Sequence, residues 1–198
     1  MQQILSQLLS LGVHSKNTLF INFEEPLFGA ETKVSFLYDV FDAYVEFFNP
    51  KGRIYLFLDE VQMIHQWEKY VVSLYDKKEN IKGFVTGSSS QLLKTEISTL
   101  LSGRYISEVV YPLNFKEFLE FKKIKIPTVR STSLFYYLNE YLKYGGFPRV
   151  VLEKDESMKM KILQEYYNSI VEKDIILRNR IKNVREVKEL LLFLVSNI

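Results

Sequence analysis

The stretch "RIYLFLDEVQ", Arg53 to Gln62, decides the fold. Residues 54–58 are all apolar, with no alternation toward a polar face. A strand of this kind belongs where both faces of a parallel sheet are covered. The run stops at two adjacent carboxylates, Asp59 and Glu60. A rigid strand end followed by a helix aims such a pair into one crevice, the usual place for ligands in parallel α/β sheets.

Working outward, "TLFINFEE" (Thr18 to Glu25) reads as a short strand and residues from about Glu31 to Phe48 as a helix ending before Asn49-Pro50. Upstream, Ile4, Leu5, Leu8 and Leu11 share one helical face and Gly12 supplies the stop. Downstream, Trp67, Tyr70, Val71 and Leu74 recur at helical spacing. "IKGFVTGSSS" (Ile81 to Ser90) gives another strand with a Gly-Ser exit, "QLLKTEISTLL" a helix, and "RYISEVVY" (Arg104 to Tyr111) a further strand stopped by Pro112. Strands alternating with helices predict a parallel α/β sheet.

After Pro112 only helices are predicted. Asn114 with Glu117 reads as a capping box ahead of Phe115, Phe118 and Leu119. Leu134, Tyr137, Leu138, Tyr141 and Leu142 form an amphipathic helix that stops at Gly145-Gly146. Leu163, Tyr166, Tyr167 and Ile170 mark another helix, and Val187, Leu190, Leu191 and Leu194 a last one.

Composition bounds the chemistry. The chain's 198 residues suit one generous domain or two small ones, and 47% hydrophobic with 25% charged residues is an ordinary globular balance. The 26 basic and 24 acidic residues nearly cancel, so net charge points to neither nucleic acid nor membrane. Without cysteine there are no disulfides or thiolate metal sites, and two histidines, His14 and His65, argue against a zinc centre. No apolar run approaches the ~20 residues needed to span a bilayer. "MQQILSQLLS" lacks the basic start of a signal peptide, so the expected location is the cytoplasm.

Four groups of residues are candidates for chemistry, each with a plainer reading beside it. Asp59 and Glu60 suit a magnesium site, Asp59 holding the ion and Glu60 orienting or deprotonating a water; acidic pairs are also common in loops after strands. "FVTGSSS" places Ser88 or Ser89 where a hydroxyl meets a γ-phosphate or a water, while Thr-Gly-Ser-Ser is also a good turn and helix cap. Arg104, after Gly103, is suited to stabilising charge in phosphoryl transfer, within its own subunit or a neighbour's; the alternative is a solvated surface arginine. "YGGFPRV" (Tyr144 to Val150) is a helix stop and turn that Gly-Gly and Pro make unaided.

The order of these elements closely resembles the predicted AAA-type P-loop ATPases of archaea and bacteria, in which an ATPase core precedes a helical lid, a winged helix and a nuclease-like domain. The resemblance rests on "INFEEP", "LDEVQ" with Trp67, "TGSSSQLL", "LLSGRYI", "YPLNFKEFL", "YLKYGGFP" and "IVEKDI", from Ile21 to Ile175. It implies an α/β fold, a parallel AAA-type sheet followed by an all-helical lid. The implied division is an ATPase core over residues 1–112, a lid over 113–182 and the first winged-helix helix over 183–198. It implies ATP and Mg²⁺ as cofactors, with Asp59 on the metal, Glu60 activating water, Ser88 as polar sensor and Arg104 as finger or sensor arginine. Gly146 and Pro148 match a Gly-x-Pro element that reaches the base side of the nucleotide from the lid.

One half of that machinery has no counterpart here. The pattern G-x-x-x-x-G-K-[ST], whose backbone amides wrap phosphates at a helix N-terminus, occurs nowhere in the chain. "MQQILSQLLSLGV" resembles the helix that follows the P-loop, with the strand and loop before it missing. The expectation is therefore a fragment, inactive alone and weak in ATP binding, with a gap between the "FVTGS" and "YISEVVY" strands. Such a gap favours association, including a homo-oligomer through the unfilled sheet. Two other functions remain open: a non-catalytic module assembling with a full-length subunit, and nucleic-acid binding through Arg178, Arg180, Lys182, Arg185 and Lys188, a run that also suits a solvated helical face.

Overall fold

The computed structural model describes residues 1–25, 27–28, 33–76, 80–87, 99–125, 131–177, 179 and 181–197. The chain divides into two compact units, Met1–Val109 and Val110–Ile198.

The first unit is built on three parallel strands, β1 (Thr18–Asn22), β2 (Ile54–Asp59) and β3 (Ile81–Val85), ordered β1-β2-β3. Helices α1 (Gln2–Ser10), α2 (Ser35–Phe48) and α3 (Trp67–Asp76) accompany them. The apolar run of β2 is central, with Leu56, Phe57 and Leu58 all buried. Because side chains alternate across a strand, Leu56 and Leu58 face a core that includes Ile21, α2 residues Leu37, Phe41 and Tyr44, and α3 residues Trp67, Tyr70 and Leu74. Each such side chain contributes roughly 1.5–3 kcal/mol on burial. Phe57 points to the opposite face, in register with Phe20 and Phe84. Its ring stacks on Phe84 at 4.8 Å and lies 6.3 Å from Phe20, one aromatic row across all three strands.

The helix stops act as the sequence predicts. Gly12 takes φ +92°, and the N–H groups of Gly12 and Val13 donate to Leu9 and Leu8 carbonyls, closing α1. Asn49 closes α2 in the left-handed region at φ 44°. The helix expected from about Glu31 begins at Ser35, and residues 29–32 lie outside the described residues, as do 88–98 with most of "QLLKTEISTLL".

One expectation fails. Arg104 to Tyr111 forms no strand, and among the described residues none of 105–111 enters a sheet ladder. Ile106 is 87% exposed and Val110 93%. The β-branched and aromatic composition fits a pleated surface, but strand propensity is realised only against a neighbour. In the described sheet, β3 pairs with β2 alone.

The second unit contains α4 (Phe115–Phe121), α5 (Ser131–Tyr144), α6 (Pro148–Leu152), α7 (Glu156–Ser169), a π-helical continuation over Ile170–Leu177, and α8 (Val184–Ser196). The capping box is present: the Glu117 amide donates to Asn114 Oδ1 at 3.0 Å, and the Asn114 amide donates to the Glu117 carboxylate at 2.8 Å. Phe118 and Leu119 pack with Val151 against Leu134, Tyr137 and Tyr141. Behind them lies an ionic cluster. Lys122 Nζ donates to both Glu140 oxygens at 2.7 and 2.9 Å, and buried Lys159 also donates to Glu140. Lys159 Nζ sits 4.8 Å from the centre of the Tyr144 ring, a second contact for a buried cation.

Candidate functional site

Asp59 and Glu60 lie where β2 leaves the sheet, and the register explains their surroundings. Asn22 pairs with Asp59 across β1, and Leu58 pairs with Val85 across β3, which sets Thr86 beside Asp59 on the same face. The Thr86 hydroxyl donates to Asp59 Oδ1. Thr86 Oγ1 in turn accepts the Glu60 backbone N–H at 3.2 Å. Backbone bonds from Thr86 N–H to Leu58 O at 2.9 Å and from Val61 N–H to Thr86 O at 3.0 Å lock the two strand ends together.

This lock forces an unusual backbone. Glu60 adopts φ 56°, ψ 42°, a left-handed conformation that is costly for a residue with a Cβ and is found disproportionately at functional sites. The turn Val61–Met63 follows, with Val61 and Ile64 buried as anchors. Gln62 turns back, and its Nε2 donates to Glu60 Oε2 at 2.6 Å.

Asp59 keeps its second carboxylate oxygen without a partner among the described residues. Magnesium prefers one or two carboxylates plus waters, so this donor set fits the ion. No group of three or more His, Cys, Asp or Glu gathers among the described residues.

Within the first unit, Arg104 does not join this group. Arg104 lies beyond the far end of α3: its guanidinium is 3.4 Å from Asp76, donates to Leu100 O at 3.0 Å and lies 5.5 Å from the Tyr75 ring centre. Helix α3 carries the chain from the carboxyl edge of the sheet back toward the amino edge, where Asn80 O accepts from Ile54 N–H at 2.9 Å. The fold therefore sets Arg104 at the opposite end of the sheet from Asp59. Ser88 lies outside the described residues. Thr86 is the residue that sequence reading missed, because its place beside Asp59 follows from the β2–β3 register, with Leu58 paired to Val85, and not from the residues of either strand alone.

In the second unit Gly146 is buried against Leu113, whose N–H donates to Gly146 O at 2.8 Å. A Cβ at Gly146 would stand 1.9 Å from the Leu113 carbonyl oxygen. The helix stop belongs to Gly145, at φ +73°. Pro148 opens α6 at its first turn, where a missing N–H costs nothing. Of the basic run, Arg178 and Arg180 lie outside the described residues, and Arg185 is tied to Glu189 at 2.7 Å on the exposed side of α8.

With this geometry in place, the chain matches the family model of an AAA domain over residues 1–119, and it belongs to that family of P-loop ATPase-like proteins. Residues 136–198 match a domain of unknown function. Among curated proteins it is 40% identical over 177 residues to the uncharacterized protein MJ1544 of Methanocaldococcus jannaschii, covering 87% of this chain and 38% of that protein. It is 36% identical over 191 residues to an uncharacterized protein of Haemophilus influenzae, covering 94% of this chain and 45% of that one. The chain thus spans less than half the length of these relatives. No solved structure matches it. The AAA family generally binds ATP with Mg²⁺. Among the described residues no helix is long and apolar enough to cross a membrane.

Proposed function

We propose that this chain carries the metal- and water-handling part of an AAA-type ATPase module. The observation that carries the reading is the Thr86 hydroxyl shared between Asp59 and the Glu60 backbone, which fixes the Asp59 carboxylate and the Glu60 backbone at the carboxyl end of the central strand. Asp59 would hold Mg²⁺ through water, and the ion would neutralise charge on the phosphates. Glu60 would orient and deprotonate the attacking water. Thr86 would orient Asp59 and the Glu60 backbone, and Ser88 keeps the separate role of polar sensor for the γ-phosphate or the water. Arg104, remote from Asp59 and paired with Asp76, is best suited to acting on a neighbouring subunit's nucleotide. Gly146 and Pro148 would approach the base side from the helical region, Gly146 through its backbone alone.

A phosphate cradle is not encoded in these residues, so the chain alone is expected to bind ATP weakly and not to hydrolyse it. The test is an ATPase assay on a form extended at Met1 by a strand and a G-x-x-x-x-G-K-[ST] loop. Hydrolysis that falls by roughly 10²-fold or more in Glu60→Gln supports the reading; an extended form that binds Mg-ATP yet turns over equally well with Glu60→Gln removes Glu60 from its role.

A second reading, a non-catalytic module that assembles with a longer subunit, is favoured by the exposed apolar side chains of Ile106 and Val110. Failure to co-purify with a full-length relative would count against it.

A further inference from the structure

We propose that Gln62 is a positioning residue for Glu60, an inference that rests on reading Glu60 as the water-activating carboxylate. Among the described residues its amide is anchored at one end only. Nε2 donates to Glu60 Oε2 at 2.6 Å, a short bond to a charged acceptor. At the other end Oε1 is sealed from solvent and has no hydrogen-bond partner among the described residues. The amide cannot be turned over to relieve this, because its oxygen would then face the Glu60 carboxylate, acceptor against acceptor. A buried acceptor without a donor is costly and calls for an explanation.

The neighbours supply it. Val61 and Ile64 are buried on either side and fix the turn that carries Gln62. Glu60 itself is held in the left-handed region by its backbone bond to Thr86 and that of the next residue, Val61. A left-handed carboxylate residue and an amide with an orphaned oxygen, two residues apart and next to Asp59, form one device. Gln62 occupies Glu60 Oε2 and so fixes the carboxylate plane, leaving Oε1 of Glu60 to take a proton from water. A residue chosen for packing alone would be apolar at this position, since apolar side chains leave no orphaned oxygen.

The test uses the chain without nucleotide, so its outcome is separate from that of the ATPase assay. NMR on glutamate-labelled protein reads the Glu60 side-chain couplings and carboxyl carbon shift, beside Gln62→Met, which conserves shape and removes both amide ends, and Gln62→Asn, which keeps an amide one methylene short. Single-rotamer couplings in the native chain should become averaged in both variants, with the Glu60 carboxyl shift moving toward that of a free glutamate. The thermal midpoint of Gln62→Met should be unchanged or raised. Couplings already averaged in the native chain, or equally rigid in both variants, would overturn the proposal. Should one variant fail to fold, the other and the native couplings still decide it.

Discussion

Thr86 Oγ1 stands between the two carboxylate residues, donating to Asp59 and accepting the Glu60 backbone N–H. A hydroxyl can do both at once, which neither a methyl nor a carbonyl can. One side chain just past β3 thereby sets the Asp59 rotamer and the backbone turn that leads through Glu60.

Thr86→Val keeps the branched shape and removes the hydroxyl. It should destabilise the first unit by about 1–3 kcal/mol, the cost of leaving part-buried polar groups unpaired. Denaturant melts of Thr86→Val, Asp59→Asn and the double variant check this. The two single losses should sum to more than the double; strict additivity would mean that the hydroxyl and the carboxylate are not coupled.

Gly146→Ala should cost several times more than Pro148→Ala. The added Cβ would meet the Leu113 carbonyl at 1.9 Å, so backbone must shift, whereas Pro148 is exposed at the start of α6. We expect a loss of order 1–3 kcal/mol or more for Gly146→Ala and under ~1 kcal/mol for Pro148→Ala. Comparable melts for the two would mean the Gly146–Leu113 packing is not tight.

The Glu140 cluster makes the second unit acid-sensitive. Burial pushes the Glu140 carboxyl up, but hydrogen bonds and charges from Lys122 and Lys159 outweigh it and hold the group below its usual 4.5. The stability it supplies is complete above 4.5 and is lost as pH falls through the depressed folded value. Glu140→Gln leaves Lys159 buried without a counter-ion and should cost about 3–5 kcal/mol at neutral pH. It should also flatten the acid limb of a pH–stability curve; an unchanged limb would show that other carboxylates set it.

Arg104→Ala removes an exposed pair with Asp76 and should change stability by less than ~1 kcal/mol. In the P-loop-extended form it should abolish hydrolysis, and mixing it with Glu60→Gln should restore part of the rate, as one subunit's Glu60 meets another's Arg104. No restoration, in a mixture shown to assemble, would argue for action within one subunit.

Much of the fold was legible because its signals are local. The unbroken apolar run of β2, Gly12 after α1, Asn49-Pro50 after α2 and the Asn114–Glu117 pair each carry their own cause within a few residues. The misread segment, 104–111, has strand composition but depends on a neighbour that its own residues do not specify. The site was half legible for a related reason. Asp59 and Glu60 stand out at a strand end, but that a hydroxyl meets Asp59 depends on cross-strand register, and Thr86 emerges only once β2 and β3 are paired. Gly146 reads as part of a stop, while its close approach to Leu113 is a contact across 33 positions of chain, visible only in three dimensions.

The most direct measurement is a calorimetric titration of Mg-ATP into the 198-residue chain and into the same chain extended by a strand and P-loop. Saturable binding is expected only in the extended form, kept in Glu60→Gln and weakened in Asp59→Asn. Saturable binding by the unextended chain would contradict the reading of Asp59 and Glu60 as half of a site, since the phosphates would then be held without a P-loop.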